Sequence, residues 1–109
     1  MTIRDLIKEI QTEVRDTDLQ PDRAAELLTK LTALMGNCND EIRKRDMDYN
    51  KKLLETMQSS KSVSEAKLIA ETSEEYDKKR EAKDTKELTL EMVRSLKYYL
   101  RAKEEEFNL

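Results

Sequence analysis

Residues 21–42 read PDRAAELLTKLTALMGNCNDEI. Their apolar side chains recur in alternating steps of four and three, which is the heptad spacing of a coiled-coil helix; the positions are Ala24, Leu28, Leu31, Met35, Cys38 and Ile42. The stripe passes Gly36 in phase, and one internal glycine costs a helix only about 1 kcal/mol. Two helices broken at Gly36-Asn37 are the alternative. We favour one helix over residues 21–58, whose stripe shifts after Ile42 to Met47, Leu53, Leu54 and Met57.

The C-terminal part of the chain carries a second heptad-like stripe. It begins at Leu88 and includes Val93, Leu96 and Leu100, so it is a natural partner for the first stripe. Ser62-Val63-Ser64-Glu65 fits a capping box at the start of this helical segment, which we place at residues 62–107. Between the two, residues 71–87 are poor in apolar side chains. They form either a solvated helix, with a second start near Thr72-Ser73, or a partly ordered connection.

The N-terminal residues predict a further helix over residues 1–17. Thr2 is a candidate N-cap, and Pro21 suits the first turn of the next helix because no amide is left unpaired there. The apolar residues after Thr2 share one face of a helix; they are Ile3, Leu6, Ile7, Ile10 and Val14.

The composition agrees with an all-α chain. It has one glycine and one proline, 41% of its residues are charged, and 37% are hydrophobic. This is typical of long helices and coiled coils, and we predict a single helical domain over residues 1–109, built on an elongated antiparallel hairpin. So small an apolar fraction makes a thin core, so we expect a homo-oligomer in preference to disorder. The predicted oligomer seam consists of Leu28, Leu31, Met35, Ile42, Val93, Leu96 and Leu100.

Catalytic chemistry has little support in this sequence. It has no histidine and one cysteine, and it lacks a glycine-rich phosphate loop, a nucleophile motif and a metal-ligand spacing. We therefore expect a non-enzyme without cofactor or metal. Charged residues stand at the N-terminus where a signal peptide needs an apolar stretch, and no uncharged run approaches the roughly 20 residues that span a bilayer. These features predict a soluble cytoplasmic protein that does not bind membranes.

The charges are unevenly distributed, although 21 basic and 24 acidic residues leave a net charge of only −3. Residues 1–42 are acidic, whereas the middle of the chain is locally basic. Tyr98 lies among cations, with Arg94 four residues before it and Arg101 three residues after it, as in proteins that stack single-stranded bases on aromatic rings. The alternative is that the arginines merely stack on exposed tyrosines of a soluble helix.

The order of segments from Arg43 to Glu106 resembles a known family. A basic and aromatic helix end, RKRDMDY at residues 43–49, is followed by a serine-rich break, the sequence SEAK at residues 64–67, a polar helix and an apolar closing helix. This order is similar to the UvsY recombination mediators of T-even-like phages, with a likeness of pattern over about 60 residues. Those proteins are small, helical and oligomeric; they bind single-stranded DNA and help to load a recombinase in place of a single-strand binding protein. The resemblance implies DNA contacts at Arg43, Lys44, Arg45, Lys51, Lys52 and Lys67.

Two classes of function follow. The first is a non-enzymatic accessory protein, phage-borne, that binds single-stranded DNA and assists recombination or replication assemblies through a recombinase or single-strand binding protein. The second is a protein-interaction module without nucleic-acid binding, such as a phage inhibitor of a host enzyme, an anti-CRISPR protein among them, or a coiled-coil assembly factor. A phage-encoded protein of either class would act in the host cytoplasm.

Overall fold

A computed structural model of the chain describes residues 1–107, with the backbone alone at residue 107. The described residues form four α-helices and no strand, which confirms the all-α prediction. Residues 108 and 109 of the predicted domain lie outside this description. The helices are α1 (Ile3–Asp16), α2 (Pro21–Ser59), α3 (Val63–Glu71) and α4 (Glu74–Phe107).

The first two helices begin where the sequence indicates. The Thr2 hydroxyl accepts a hydrogen bond from the Asp5 amide at 3.1 Å, and the Asp5 carboxylate accepts one from the Thr2 amide at 3.0 Å. This reciprocal pair satisfies amides that the first turn of α1 leaves open. Pro21 is the first residue of α2. The helix continues through Gly36, which does not have a positive φ, so the continuous helix is confirmed.

The C-terminal segment divides into α3 and α4 at Thr72-Ser73. At the start of α3 the Ser62 hydroxyl accepts a hydrogen bond from the Glu65 amide, but the Glu65 carboxylate accepts from the Lys61 amide at 3.3 Å. Only half of the predicted capping box therefore forms. The Ser73 hydroxyl accepts from the Tyr76 amide at 3.3 Å, which supports the second helix start. Residues 74–87 are helical, so the polar stretch belongs mostly to α4.

The chain forms two compact units. Unit 1 contains Met1–Asn37 and the chain from Thr85 onward, and unit 2 contains Cys38–Asp84. Helices α2 and α4 each contribute to both units.

In unit 1, α1 runs parallel to α4. Arg4 near the start of α1 donates to the Thr85 hydroxyl at 3.0 Å, and the Tyr99 hydroxyl donates to the Leu19 carbonyl beyond the end of α1. The unit has an apolar core on all three helices, formed by Ile7, Ala24, Leu27, Leu31, Met92 and Leu96.

The core of unit 1 departs from the predicted seam in two ways. Leu27 is buried whereas Leu28 is only half-buried, although Ala24, Leu31 and Cys38 are buried as the predicted stripe requires. Thr89 is also fully buried, and its hydroxyl donates to the Thr85 carbonyl at 2.8 Å. Of the predicted seam, Leu31 and Leu96 are buried by the chain itself, and the other members in this unit are half-buried; these are Leu28, Met35, Val93 and Leu100.

In unit 2, α2 and α4 are antiparallel, because Tyr49 contacts Tyr76 while Asp46 faces Lys79. Ile42 is half-buried. The prediction that the apolar stripe of α2 continues through Met47, Leu54 and Met57 is wrong, since all three side chains are exposed, and Leu53 is half-buried. Small and polar residues fill the interior of unit 2 in place of this stripe. The buried side chains are Cys38, Tyr49, Thr56, Ala66, Ala70 and Ala82.

Candidate nucleic-acid interface

One exposed face of α4 in unit 1 carries Arg94, Tyr98 and Arg101. These residues are four and three positions apart, so they lie along one side of the helix. All three are exposed, and Tyr98 exposes 76% of its surface. Met92 and Leu96, on the other side of α4, are buried in the core of the unit. The predicted aromatic ring between two cations is therefore presented to solvent.

The four tyrosines differ in what lies over their rings. Lys79 Nζ is 4.4 Å from the centroid of the Tyr49 ring, Arg80 is 5.9 Å from that of Tyr76, and Lys103 is 5.8 Å from that of Tyr99. Within residues 1–106 no such cation lies over the Tyr98 ring. The alternative in which neighbouring arginines stack on this tyrosine therefore does not describe Tyr98, and its π-face is open.

The neighbouring Tyr99 fixes the orientation of this face. Its hydroxyl donates to the backbone carbonyl of Leu19, and its ring is half-buried. Adjacent helix positions point about 100° apart, so anchoring Tyr99 toward the loop between α1 and α2 leaves Tyr98 pointing away from it. Sequence periodicity separates the two tyrosines correctly.

The six remaining candidates lie in unit 2 and differ in how available they are. Arg43, Lys44, Lys51 and Lys67 are exposed, and Lys52 is half-buried. Arg45 is only 24% exposed; its Nε is 2.7 Å from Glu41 Oε1, and its Nη1 is 3.6 Å from Asp48 Oδ2. A guanidinium already held by two carboxylates is a poor phosphate ligand, because binding a phosphate would require giving up these partners.

A cleft of about 310 Å³ in unit 2 includes several of these cations. Four basic side chains line it: Arg45, Lys51, Lys52 and Lys78. Four carboxylates line it as well: Asp48, Glu55, Glu74 and Glu75. Because the charges balance, the cleft lacks the net positive potential that a channel for a phosphate backbone requires.

Tyr49 ends the basic and aromatic segment at residues 43–49, and its side chain is buried. Its ring centroid lies 5.5 Å from that of Tyr76. Burial raises the pKa of the Tyr49 hydroxyl, and the nearby Glu71 and Tyr76 add to the effect. Lys79, which covers this ring, also lies 3.8 Å from Asp46 Oδ1. Tyr49 thus belongs to the interior of unit 2, a role that the sequence analysis missed because the stripe of α2 shifts after Cys38.

Comparison with family models, with curated proteins and with solved structures finds no match to this chain. The part of the chain that the structure describes contains no helix with the length and apolarity needed to cross a membrane. The same residues contain no group of three or more acidic or cysteine side chains arranged to hold a metal ion.

Proposed function

We propose that this chain is a non-enzymatic accessory protein that binds single-stranded DNA through the α4 face of Arg94, Tyr98 and Arg101. The observation that carries this proposal is the exposed Tyr98 ring, which has exposed cations on both sides and no cation of residues 1–106 over its face. The UvsY-like order of segments extends the proposal to a cytoplasmic phage protein that assists recombination or replication assemblies, with a recombinase or single-strand binding protein as partner.

The chemistry of this face suits a single strand better than a duplex. An unpaired base can stack on a tyrosine whatever its identity, because every base has a π-face, and cations beside the ring can contact the adjoining phosphates. From Arg94 to Arg101 the helix advances roughly 10 Å at 1.5 Å per residue. Glu91 and Glu105 lie beyond the two arginines on the same side of α4. One chain therefore offers a short contact with a few nucleotides.

So short a contact is useful mainly when it is repeated. Linking several weak sites raises their combined affinity without new contacts. The predicted homo-oligomer therefore belongs to this proposal, because it repeats the contact once in each chain. The basic residues of unit 2 with exposed side chains remain candidates for a second contact with the strand; they are Arg43, Lys44, Lys51 and Lys67.

Fluorescence anisotropy with a labelled oligothymidylate tests the proposal. We expect measurable binding at about 50 mM salt that weakens steeply as salt rises, because counterions are released from the strand. Tyr98→Ala should weaken binding by roughly 1–3 kcal/mol, whereas Tyr98→Phe should retain most of it, since the ring remains. Arg94→Gln and Arg101→Gln should each lower the salt slope by about 0.7.

Lys83→Gln is the matched control, because it removes an exposed cation from α4 in unit 2. It should leave both affinity and salt slope nearly unchanged. Circular dichroism should show equal helix content in all variants. Absence of binding by the intact protein at about 50 mM salt would overturn the proposal, and equal losses in Tyr98→Ala and Lys83→Gln would remove Tyr98 from the site.

A protein-interaction module is the second candidate, and a specific observation favours it. Six large apolar side chains in unit 2 are exposed: Met47, Leu54, Met57, Val63, Leu68 and Ile69. Exposed apolar side chains mark contact surfaces for other proteins where they lie together in one patch. An inhibitor of a host enzyme or a coiled-coil assembly factor could use such a surface without binding nucleic acid.

A further inference from the structure

Met47 and Leu54, with the charged residues one turn away, form the outer face of α2 in unit 2. Met47 is 66% exposed and Leu54 is 62% exposed. They are seven residues apart, so they lie on one line along the helix, on the side away from the buried Thr56. The charged residues three or four positions from them are all basic: Arg43, Lys44 and Lys51. Asp40, seven residues before Met47 on the same line, offsets part of this charge, because its Oδ1 lies 3.9 Å from Arg43 Nη1.

The second surface is the outer face of α3, formed by Leu68 and Ile69 with Glu65 and Glu71. Leu68 is 68% exposed and Ile69 is also exposed, while the opposite side of α3 is buried through Ala66 and Ala70. The charged residues three or four positions from Leu68 and Ile69 are both acidic: Glu65 and Glu71. Lys67, the adjacent cation, lies on the other side of Leu68, about 200° around the helix from Ile69.

These two faces match each other in polarity and in charge, and both belong to unit 2. Each has large apolar side chains at its centre, bordered by cations on α2 and by carboxylates on α3. They cannot meet within one chain, because each lies on the solvent side of a helix whose other side is buried in the same unit. A second copy of the chain supplies the complementary face without any other partner.

We propose that the outer face of α3 in one copy docks on the outer face of α2 in a second copy. Such a contact joins two different patches, so it is heterologous, and each added copy leaves one face of either kind open for the next. Assembly therefore continues beyond a dimer unless the rotation between copies closes the series. This contact is independent of the proposed DNA site on α4, and it gives Arg43, Lys44 and Lys51 a role other than phosphate binding.

Sedimentation equilibrium without nucleic acid tests the contact. We expect a mass that rises above 12.8 kDa as concentration increases. The double variant Lys44→Glu/Lys51→Glu reverses the charge of the α2 face. Ser64→Lys/Glu71→Lys reverses that of the α3 face and keeps Glu65, whose carboxylate accepts a hydrogen bond from the Lys61 amide. Each double variant alone should associate at least about tenfold more weakly, because like charges then oppose each other across the contact.

Mixing the two variants is the decisive step. The acidic α2 face of one variant then meets the basic α3 face of the other, so association should return toward that of the unaltered protein. Lys30→Glu/Lys83→Glu is the matched control for the α2 variant, because it makes the same change in net charge at exposed lysines outside both faces; it should associate normally. Circular dichroism should show that all variants are folded.

Several results would overturn the proposal. A mass of 12.8 kDa at every concentration excludes self-association. Normal association of both reversed variants places the contact elsewhere on the chain, and a mixture that fails to recover shows that the two faces do not meet. A mass of 12.8 kDa at every concentration would also remove the repetition that strengthens the proposed DNA contact. Binding of the oligonucleotide through Tyr98 is measured separately by anisotropy, so failure of the α2–α3 contact and failure of the DNA site are distinguishable.

Discussion

At the scale of single residues, Arg23 on α2 donates two parallel hydrogen bonds to the Glu13 carboxylate on α1. Arg23 Nε is 2.6 Å from Glu13 Oε2, and Nη2 is 2.7 Å from Oε1. Such bidentate pairs are the best-defined ion pairs in proteins. The hydrogen bonds from Arg23 lower the pKa of the Glu13 carboxyl, and this outweighs the opposing effect of burial. The pair fixes the end of α1 against the start of α2.

The lowered pKa makes this pair sensitive to acid. A carboxyl whose folded pKa lies below its unfolded value stabilises the fold above the unfolded pKa, about 4.3 for glutamate. That stabilisation is lost as pH falls through the lower folded value. We therefore expect Glu13→Gln to lower the free energy of unfolding at pH 7 and to flatten its decline below about pH 5.

Urea denaturation at a series of pH values measures this effect. Glu9→Gln is the control, because Glu9 is an exposed carboxylate on the same helix. Its curve should follow that of the unaltered protein. Parallel acid declines for Glu13→Gln and the unaltered protein would show that the pair contributes nothing to acid sensitivity, as many surface ion pairs contribute little to stability.

At the scale of helices, Gly36 lowers the stability of α2, although neither its conformation nor its surroundings require a glycine. It lies inside α2 without a positive φ, and a β-carbon placed there meets nothing within 4 Å. Glycine in a helix costs roughly 0.5–1 kcal/mol relative to alanine. Gly36→Ala should raise the free energy of unfolding by about that amount, measured by urea denaturation with unchanged slope.

The reverse substitution one turn earlier is the matched control. Ala33 is exposed on the same helix, so Ala33→Gly should lower stability by a similar amount. If Gly36→Ala instead lowers the free energy of unfolding, another copy or a partner approaches this position closely, and that approach depends on the absence of a side chain.

Helix boundaries were predictable because they rest on local chemistry. Thr2, Pro21, Ser62 and Ser73 mark helix starts through groups a few residues away in sequence. Burial was less predictable, because it depends on the angle at which helices meet. At about 100° per residue, Leu27 and Leu28 lie on opposite sides of the line from Ala24 to Leu31, so which of the two is buried depends on where the neighbouring helices pack.

The buried threonines and the interior of unit 2 escaped prediction for a related reason. The Thr89 hydroxyl can be buried because the Thr85 carbonyl accepts its hydrogen bond, so a polar residue occupies a core position. Tyr49 is buried where the sequence suggested a surface, since the ring packs beside Tyr76 on a different helix. By contrast, the exposure of Tyr98 followed correctly from its distance around α4 from Leu96.

At the scale of the whole molecule, the two units bury different kinds of side chain. The described core of unit 1 includes isoleucine, leucine and methionine, whereas that of unit 2 consists of alanines, a cysteine, a tyrosine and a threonine. Larger buried apolar side chains contribute more stability, by roughly 1.5–3 kcal/mol for a leucine or isoleucine. Unit 2 also exposes six of its larger apolar side chains, while Ile42 and Leu53 are half-buried. Its interior alone is therefore a weaker source of stability.

Hydrogen exchange tests this difference, because local opening free energies follow the buried apolar contacts of each segment. At low protein concentration, amides in α3 and in residues 44–58 should exchange sooner than those in residues 24–35 and 88–99. Raising the concentration should slow exchange in α3 and residues 44–58, since a second copy would then cover their outer faces. In Lys44→Glu/Lys51→Glu this dependence on concentration should disappear. The opposite result would be better protection of the amides in unit 2 than of those in unit 1 at low concentration. The small buried residues of unit 2 would then pack well enough without a second copy, and its small core would be no argument for assembly.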